Sequence, residues 1–219
     1  MAIMTRTEES VVVVRGEAEV MRRTARLFEN ATDIACAAND LASWRWASTG
    51  PAAMPPPPAG ATVRKVFRSG TLLDPGWSQR LDHIRSNPGV SIRVTGDEVN
   101  ETIILDRRVA ILAGDRRAGE RTYSIITQRD AVQGVTSLFE AAWRASTDLD
   151  VHDAASAEIR QLAPQVLDLL GAGVKDESAA RAMGLSVRTY RRRVAELMEA
   201  LGAESRFQAG VRARELGLV

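Results

Sequence analysis

Four arginines fall within six residues near the carboxyl end: Arg188, Arg191, Arg192 and Arg193, with Ser186 and Thr189 among them and Lys175 upstream. The planar fork of a guanidinium can grip guanine O6 and N7 together or bind phosphate oxygens, which a compact ammonium does less specifically. The chemistry such a cluster offers is recognition of duplex nucleic acid. A solvated helix face that only keeps the chain soluble could carry the same residues. Elsewhere reactive groups are sparse. His83 and His152 have no lysine beside them and read as surface or structural histidines. Cys36 lies in the apolar run Ile34 to Ala38 and reads as a small buried hydrophobe; as the single cysteine it forms no intramolecular disulfide. No catalytic, cofactor or metal site is expected.

The elements that must position the arginines can be bracketed by their stops. One helix ends with Val166, Leu167, Leu169 and Leu170 ahead of Gly171 and Gly173. The next, Asp176 to Met183, opens with two acids and stops at Gly184. A third starts after Ser186, a good cap, and runs to Leu201 before Gly202. A fourth opens at Ser205, with Gln208 completing a capping box. A short helix, a tight connection and a longer helix form the helix-turn-helix outline. In the third helix Tyr190, Val194, Leu197, Met198 and Leu201 define one buried stripe. At about 100° per residue, Arg192 falls nearly opposite it, with Arg188, Thr189 and Glu196 close by. Arg191 and Arg193 are expected on the two flanks, nearest the phosphate walls of a major groove. Ser186, Arg188, Thr189, Arg191, Arg192, Arg193 and Lys175 are therefore the candidate DNA contacts.

The segments Val166 to Gly173, Asp176 to Gly184, Leu185 to Val194 (LSVRTYRRRV), Leu201 to Ala203 and Arg206 to Ala209 together resemble the LuxR-type DNA-binding domain. That family's recognition helix usually carries a hydroxyl residue followed by a β-branched core residue, here Thr189 and, as a departure, the larger Tyr190. The family's first helix tends to open with a Thr-Pro-Arg-Glu box. This chain has Leu162-Ala163-Pro164-Gln165, so that helix is expected to begin at Pro164 or to kink there. The resemblance implies a double-stranded promoter DNA partner.

Before residue 150 the periodicity changes. Short β-forming runs (Val11 to Val14, Thr32 to Ala37, Thr62 to Arg68, Val90 to Val94, Thr102 to Leu105, Val109 to Leu112, Tyr123 to Ile126) alternate with helices near Glu17 to Glu29, Trp77 to Ser86 and Asp130 to Ala145. Val20, Ala25, Leu27 and Phe28 are expected to form the apolar face of the first of these helices. Ala131, Val135, Leu138, Ala142 and Trp143 should do so in the last. Strands mixed with helices predict a covered sheet. Residues 48–60 hold Pro51 and the run Pro55 to Pro58 and must be a loop. Trp44, Trp46 and this loop could wall a pocket for a small-molecule effector, or fill core beneath it. Val151 to Ser156 reads as a polar connector, which divides the chain into residues 1–150 and 151–219.

The first part does not read as a phosphoacceptor receiver, because Val11 to Val14 is followed by Arg15-Gly16-Glu17 where clustered acids would be needed. Leu81 to Leu112, and most sharply Glu101-Thr102-Ile103-Ile104-Leu105-Asp106-Arg107-Arg108-Val109-Ala110-Ile111-Leu112, resembles a phospholipase D-like domain of the kind that serves as the effector module of TrmB-type regulators. Ser137 to Trp143 is similar to the helix that closes such modules. Enzymes of that superfamily attack a phosphodiester with a histidine, assisted by a lysine two residues later and an aspartate five beyond that. With Asp106 at the aspartate position, the other two fall on Val99 and Glu101, neither of which can do that work. The resemblance thus implies a non-catalytic module for dimerisation or ligand sensing. The alternative is a phosphodiesterase or nuclease with a degenerate site.

The fold class expected is an α/β first domain, a phospholipase D-like sheet covered by helices, followed by an all-α four-helix LuxR-type domain. At 219 residues the chain has room for both cores. Hydrophobic residues at 45% and charged residues at 26% exclude wholesale disorder and disulfide scaffolds. A net charge of +1 excludes a global field that would hold the chain on nucleic acid or an anionic membrane, so any contact must be local. No apolar run is long enough for a membrane span, and Met1 to Ser10 carries Arg6, Glu8 and Glu9 where a signal peptide would be apolar, so a cytoplasmic protein is expected. One small helix-turn-helix buries limited surface, and regulators pair symmetric half-sites; a homodimer is expected.

Overall fold

The structure, a computed structural model, describes residues 10–41, 43–44, 58–74, 76–77, 79, 81, 89–117 and 120–219. Eight strands form one sheet in the order β1-β7-β6-β5-β2-β3-β4-β8. They are β1 Val11–Arg15, β2 Asp33–Ala38, β3 Thr62–Arg68, β4 Val90–Thr95, β5 Thr102–Leu105, β6 Val109–Arg117, β7 Glu120–Ile126 and β8 Thr147–Asp148. The pairs β2–β3 and β3–β4 are parallel and the others antiparallel. The central strands are buried on both faces, which is why β2 (DIACAA) reads as a continuous apolar run without alternation. Ile34, Cys36 and Ala38 join one core layer, Ala35 and Ala37 the other.

Helix α1, Glu17–Asn30, covers the first layer through Val20, Thr24 and Phe28, a line at four-residue spacing. Leu27, expected on that face, is exposed. Helix α2, Arg129–Ala145, covers the opposite layer. Its fully buried line is Val132, Thr136 and Phe139; of the expected stripe Ala131, Val135 and Trp143 pack partly buried against the same core, whereas Leu138 is 68% exposed. Phe139 fills the sheet surface and stacks on Trp143 at 6.1 Å, so the large ring sets the helix rotation.

The expected connector at 151–156 is helix instead. The Asp148 carboxylate accepts from the Asp150 amide at 3.0 Å, and from that cap α3 runs unbroken over Leu149–Gly171. The helix does not begin at Pro164, which lies inside it, where it gives no backbone N–H to the ladder and its ring crowds the carbonyl four residues before it. Three more helices follow: α4 Asp176–Ala182, α5 Val187–Ala200 and α6 Arg206–Glu215. Ile159, Ala163, Val166, Leu167, Tyr190, Val194, Leu197 and Leu201 share a second core with Ala209 and Ala213. Leu73, from a 3-10 turn at Ser69–Leu73 that follows β3, inserts into it. Beside it the Ser69 hydroxyl donates to the Ala200 carbonyl at 2.7 Å and Arg68 Nη2 to the Gly202 carbonyl at 3.2 Å. Most of the expected helix at Trp77 to Ser86, with His83, Trp46 and the proline run, lies outside the described residues.

Candidate nucleic-acid interface

Helix α4 ends in a left-handed glycine, Gly184 at φ +66°, and the Leu185 amide returns to the Ala180 carbonyl at 2.8 Å. Ser186 then caps α5: its Oγ accepts from the Thr189 amide at 3.1 Å and shares a hydrogen bond with Thr189 Oγ1 at 2.8 Å. The two hydroxyls expected at the interface therefore also hold the turn that launches the helix.

From this start α5 buries Tyr190, Val194 and Leu197 as the spacing predicts, while Met198 is only partly buried. Arg188 and Arg192 are exposed. Among the described residues Arg188 makes no ion pair and Arg192 has only Glu196 at 3.6 Å. Lys175, exposed at the start of α4, has no ion pair among the described residues either. Arg191 is exposed but donates from Nε to Asp176 Oδ2 at 2.8 Å.

Arg193 departs from its expected place on the outer flank. It is 9% exposed, pairs with Glu158 of α3 and donates to Glu196 at 2.7 Å. The reason is geometric: Arg193 follows Tyr190 by three residues and precedes Leu197 by four, which puts it on the packed face. Its carboxylate partners hold it as a cation there, and the guanidinium pKa is raised by Glu196 first and, against desolvation, by Glu158.

A second feature was not visible in the helix pattern. The Asp176 carboxylate receives Arg206 of α6 at 2.8 and 3.1 Å as well as Arg191 of α5, so one side chain ties three helices. Those hydrogen bonds, Arg206 first, pull its pKa down to about 2. The sequence signal was an acid at the opening of α4, which reads equally as a helix-dipole residue.

In the sheet, Val99, Glu101 and Asp106 lie before and after β5. Glu101 is 8% exposed and bonded to Arg121, to the Ser43 hydroxyl and to the Asn39 amide. Asp106 stands at φ +49° in the β5–β6 turn, and its Oδ1 accepts from the amides of Thr32 and Asp33, both at 2.9 Å, and from the Thr32 hydroxyl. Burial opposes its ionisation, but the Asp33 and Thr32 amides outweigh burial and the pKa is lowered. Each carboxylate is thus occupied within the fold, Asp106 by backbone amides and Glu101 chiefly by the Arg121 and Ser43 side chains. Of the two readings of Trp44, pocket wall or core filler, the structure gives the second: it is 6% exposed, its indole donates to the Ala37 carbonyl at 2.9 Å, and its ring lies 6.1 Å from that of Tyr123. His152 lies on α3. Among the described residues no group of three or more His, Cys, Asp or Glu side chains could hold a metal ion.

The chain is 30% identical over 161 residues to the bialaphos biosynthetic pathway regulatory protein of Streptomyces hygroscopicus, a match covering 73% of this chain. It spans 62% of that relative's length. The chain thus has a regulator-like relative. Among solved structures, it is similar to TrmBL2, an archaeal chromatin protein, at 17% identity and a TM-score of 0.45, covering 67% of this chain and 57% of that one. It is also similar to Nuc of Salmonella typhimurium, a phospholipase D family member, at 18% identity and a TM-score of 0.48, covering 64% and 97%. No protein-family model matches. Among the described residues no helix is long and apolar enough to cross a membrane.

Proposed function

We propose that the chain is a sequence-specific DNA-binding transcription regulator of the cytoplasm. In this reading residues 151–219, entered through α3, are a LuxR-type helix-turn-helix domain, and α5 is the helix that enters the major groove. Residues 1–150 are a phospholipase D-like module without phosphodiester chemistry that pairs two copies into a homodimer. The regulatory relative supports the class of function. The observation that carries the reading is the exposed, unpaired Arg188 in the first turn of α5, with Arg192 one turn further along the same face. A cation left without a partner in a chain this rich in acids is available to an external one. Arg188 and Arg192 are assigned to base edges. Lys175, Ser186, Thr189 and, in exchange with Asp176, Arg191 are assigned to phosphate oxygens. Arg193 leaves the set, and an effector pocket walled by Trp44 is not part of the reading.

The test is competition binding on duplexes selected from genomic fragments by the wild-type protein. Arg188→Ala with Arg192→Ala should cost about 1 to 3 kcal/mol per base contact and erase the preference over random duplex. Unchanged preference in the double variant would refute the assignment.

A further inference from the structure

Away from α5, an open groove of about 490 Å³ runs along α2, lined by Arg107, Arg129, Gln133, Ser137, Glu140 and Arg144. Arg129, Gln133, Ser137, Glu140 and Arg144 repeat at three to four residues, so they form one polar stripe beside the buried line of the helix. The acid in the groove is neutralised: Glu140 accepts from Arg64 at 2.9 Å and from Arg107 at 3.2 Å. Arg107 is aimed there by a turn that holds both Asp106 and Arg107 at positive φ, +49° and +55°, a conformation that residues with a side chain rarely adopt. The groove's two ends are marked by Arg129 and Arg144, both exposed and neither ion-paired among the described residues. Arg129 stands in the first turn of α2, where the helix dipole already disfavours a cation and no side chain caps the amides. That end is therefore the stronger site for an anion.

We propose that this groove binds the phosphate backbone of DNA as a second contact surface, independent of sequence. It rests on the regulator reading above and extends it to residues outside the helix-turn-helix. The spacing selects an extended polyanion over a single phosphate group. Arg129 and Arg144 are 15 residues apart on one helix, about 22 Å, a span that several successive phosphates of a strand are needed to cross. No single phosphorylated group reaches both, while a backbone lying along α2 meets each in turn. Gln133 and Ser137 between them supply neutral donors.

The experiment measures the salt dependence of affinity for a long non-operator duplex with wild type, Arg129→Ala/Arg144→Ala and Arg188→Ala/Arg192→Ala. Removing two phosphate contacts should reduce the magnitude of the slope of log K against log salt by about 2, so that the affinity lost between about 50 and about 200 mM salt shrinks roughly tenfold. The operator preference of this variant should stay at the wild-type value. If its slope equals that of wild type while Arg188→Ala/Arg192→Ala loses operator preference, the groove is no contact and the regulator reading stands. If the slope falls but Arg188→Ala/Arg192→Ala keeps its preference, the groove is supported and the recognition-helix assignment fails. A melting temperature raised by millimolar inorganic pyrophosphate in wild type only, with unchanged DNA slopes, would assign the groove to a small phosphorylated molecule and overturn the proposal.

Discussion

Arg193→Ala separates packing from recognition, because this arginine belongs to the same basic run as Arg191 and Arg192 but faces the other way. Its side chain is 11% exposed and spans from α5 to Glu158 on α3. Removing it loses two charge-assisted hydrogen bonds. The carboxylates left behind are 62% and 35% exposed and rehydrate, so each bond counts near the surface value of about 0.5 to 1 kcal/mol and not the buried one. The two stem methylenes that alanine lacks, Cγ and Cδ, at about 0.8 kcal/mol each when fully buried, add about 1.6 kcal/mol. The sum is about 3 kcal/mol, or roughly 6 to 12 °C in melting temperature for a chain of this size. Urea denaturation measures the loss, and the DNA salt slope measured on folded variant should equal that of wild type. A variant as stable as wild type whose slope falls by about 1 would mean that Arg193 meets phosphate, and the reasoning from helix rotation would be wrong.

Two further perturbations test how the helices are held. Gly202→Ala places a side chain at φ +61° with its Cβ 2.7 Å from Arg68 Nη2 and 3.0 Å from the Gly96 carbonyl oxygen; it should lower the urea-unfolding free energy by about 2 to 3 kcal/mol. Gly184→Ala, at φ +66° with open space around it, should cost only about 1 kcal/mol, and equal losses would refute the contact argument. Asp176 has its folded pKa drawn down to about 2 by Arg206 and then Arg191, below its value in the unfolded chain. Its stabilisation is therefore complete above about pH 4 and is lost as the pH falls toward 2. Both arginines are about half exposed, which limits the effect to about 1 kcal/mol. Asp176→Asn should flatten the stability profile over that range by this amount relative to wild type, and identical profiles would count against the three-helix tie.

What was legible in the sequence was local. The strands Thr62–Arg68 and Thr102–Leu105 and the caps at Ser186 and Ser205 follow from β-branched runs and from side chains that bond their own backbone. What was missed depends on partners far along the chain. Residues 151–156 look polar enough for a linker, but Leu149 is buried against the sheet and Ile159 against α5, so contacts at both ends carry the helix through. Arg193 reads as surface by residue type and is core by position. The Asp176 tie joins residues 15 and 30 apart, beyond any helical period. The groove on α2 needed the β5–β6 turn to deliver Arg107 beside a stripe that alone looks like ordinary helix surface.

The two halves of the chain meet along α3 and at the carboxyl end of α5, and the second contact matters for how a sheet could govern the helix proposed to read DNA. Arg68 and Ser69 donate to the carbonyls of Gly202 and Ala200, and Arg212 of α6 lies 3.6 Å from Glu98. Arg68 is buried there, and desolvation, with Arg212 nearby, lowers its pKa. Of these ties the first two grip the end of α5 and the residues just after it, and the third holds α6. Arg188, in the first turn, is the length of a 14-residue helix away, about 20 Å, and touches none of them. The sheet can therefore fix the position and tilt of α5 without covering the end proposed to read bases. In a homodimer that pairs through the sheet, the separation of the two recognition helices would be set by strand geometry, and with it the spacing of the half-sites, about 34 to 36 Å or a multiple. Because α3 is continuous from its cap at Asp148, no flexible linker intervenes to blur that distance. A shift at the sheet would reach the helix as a rigid displacement.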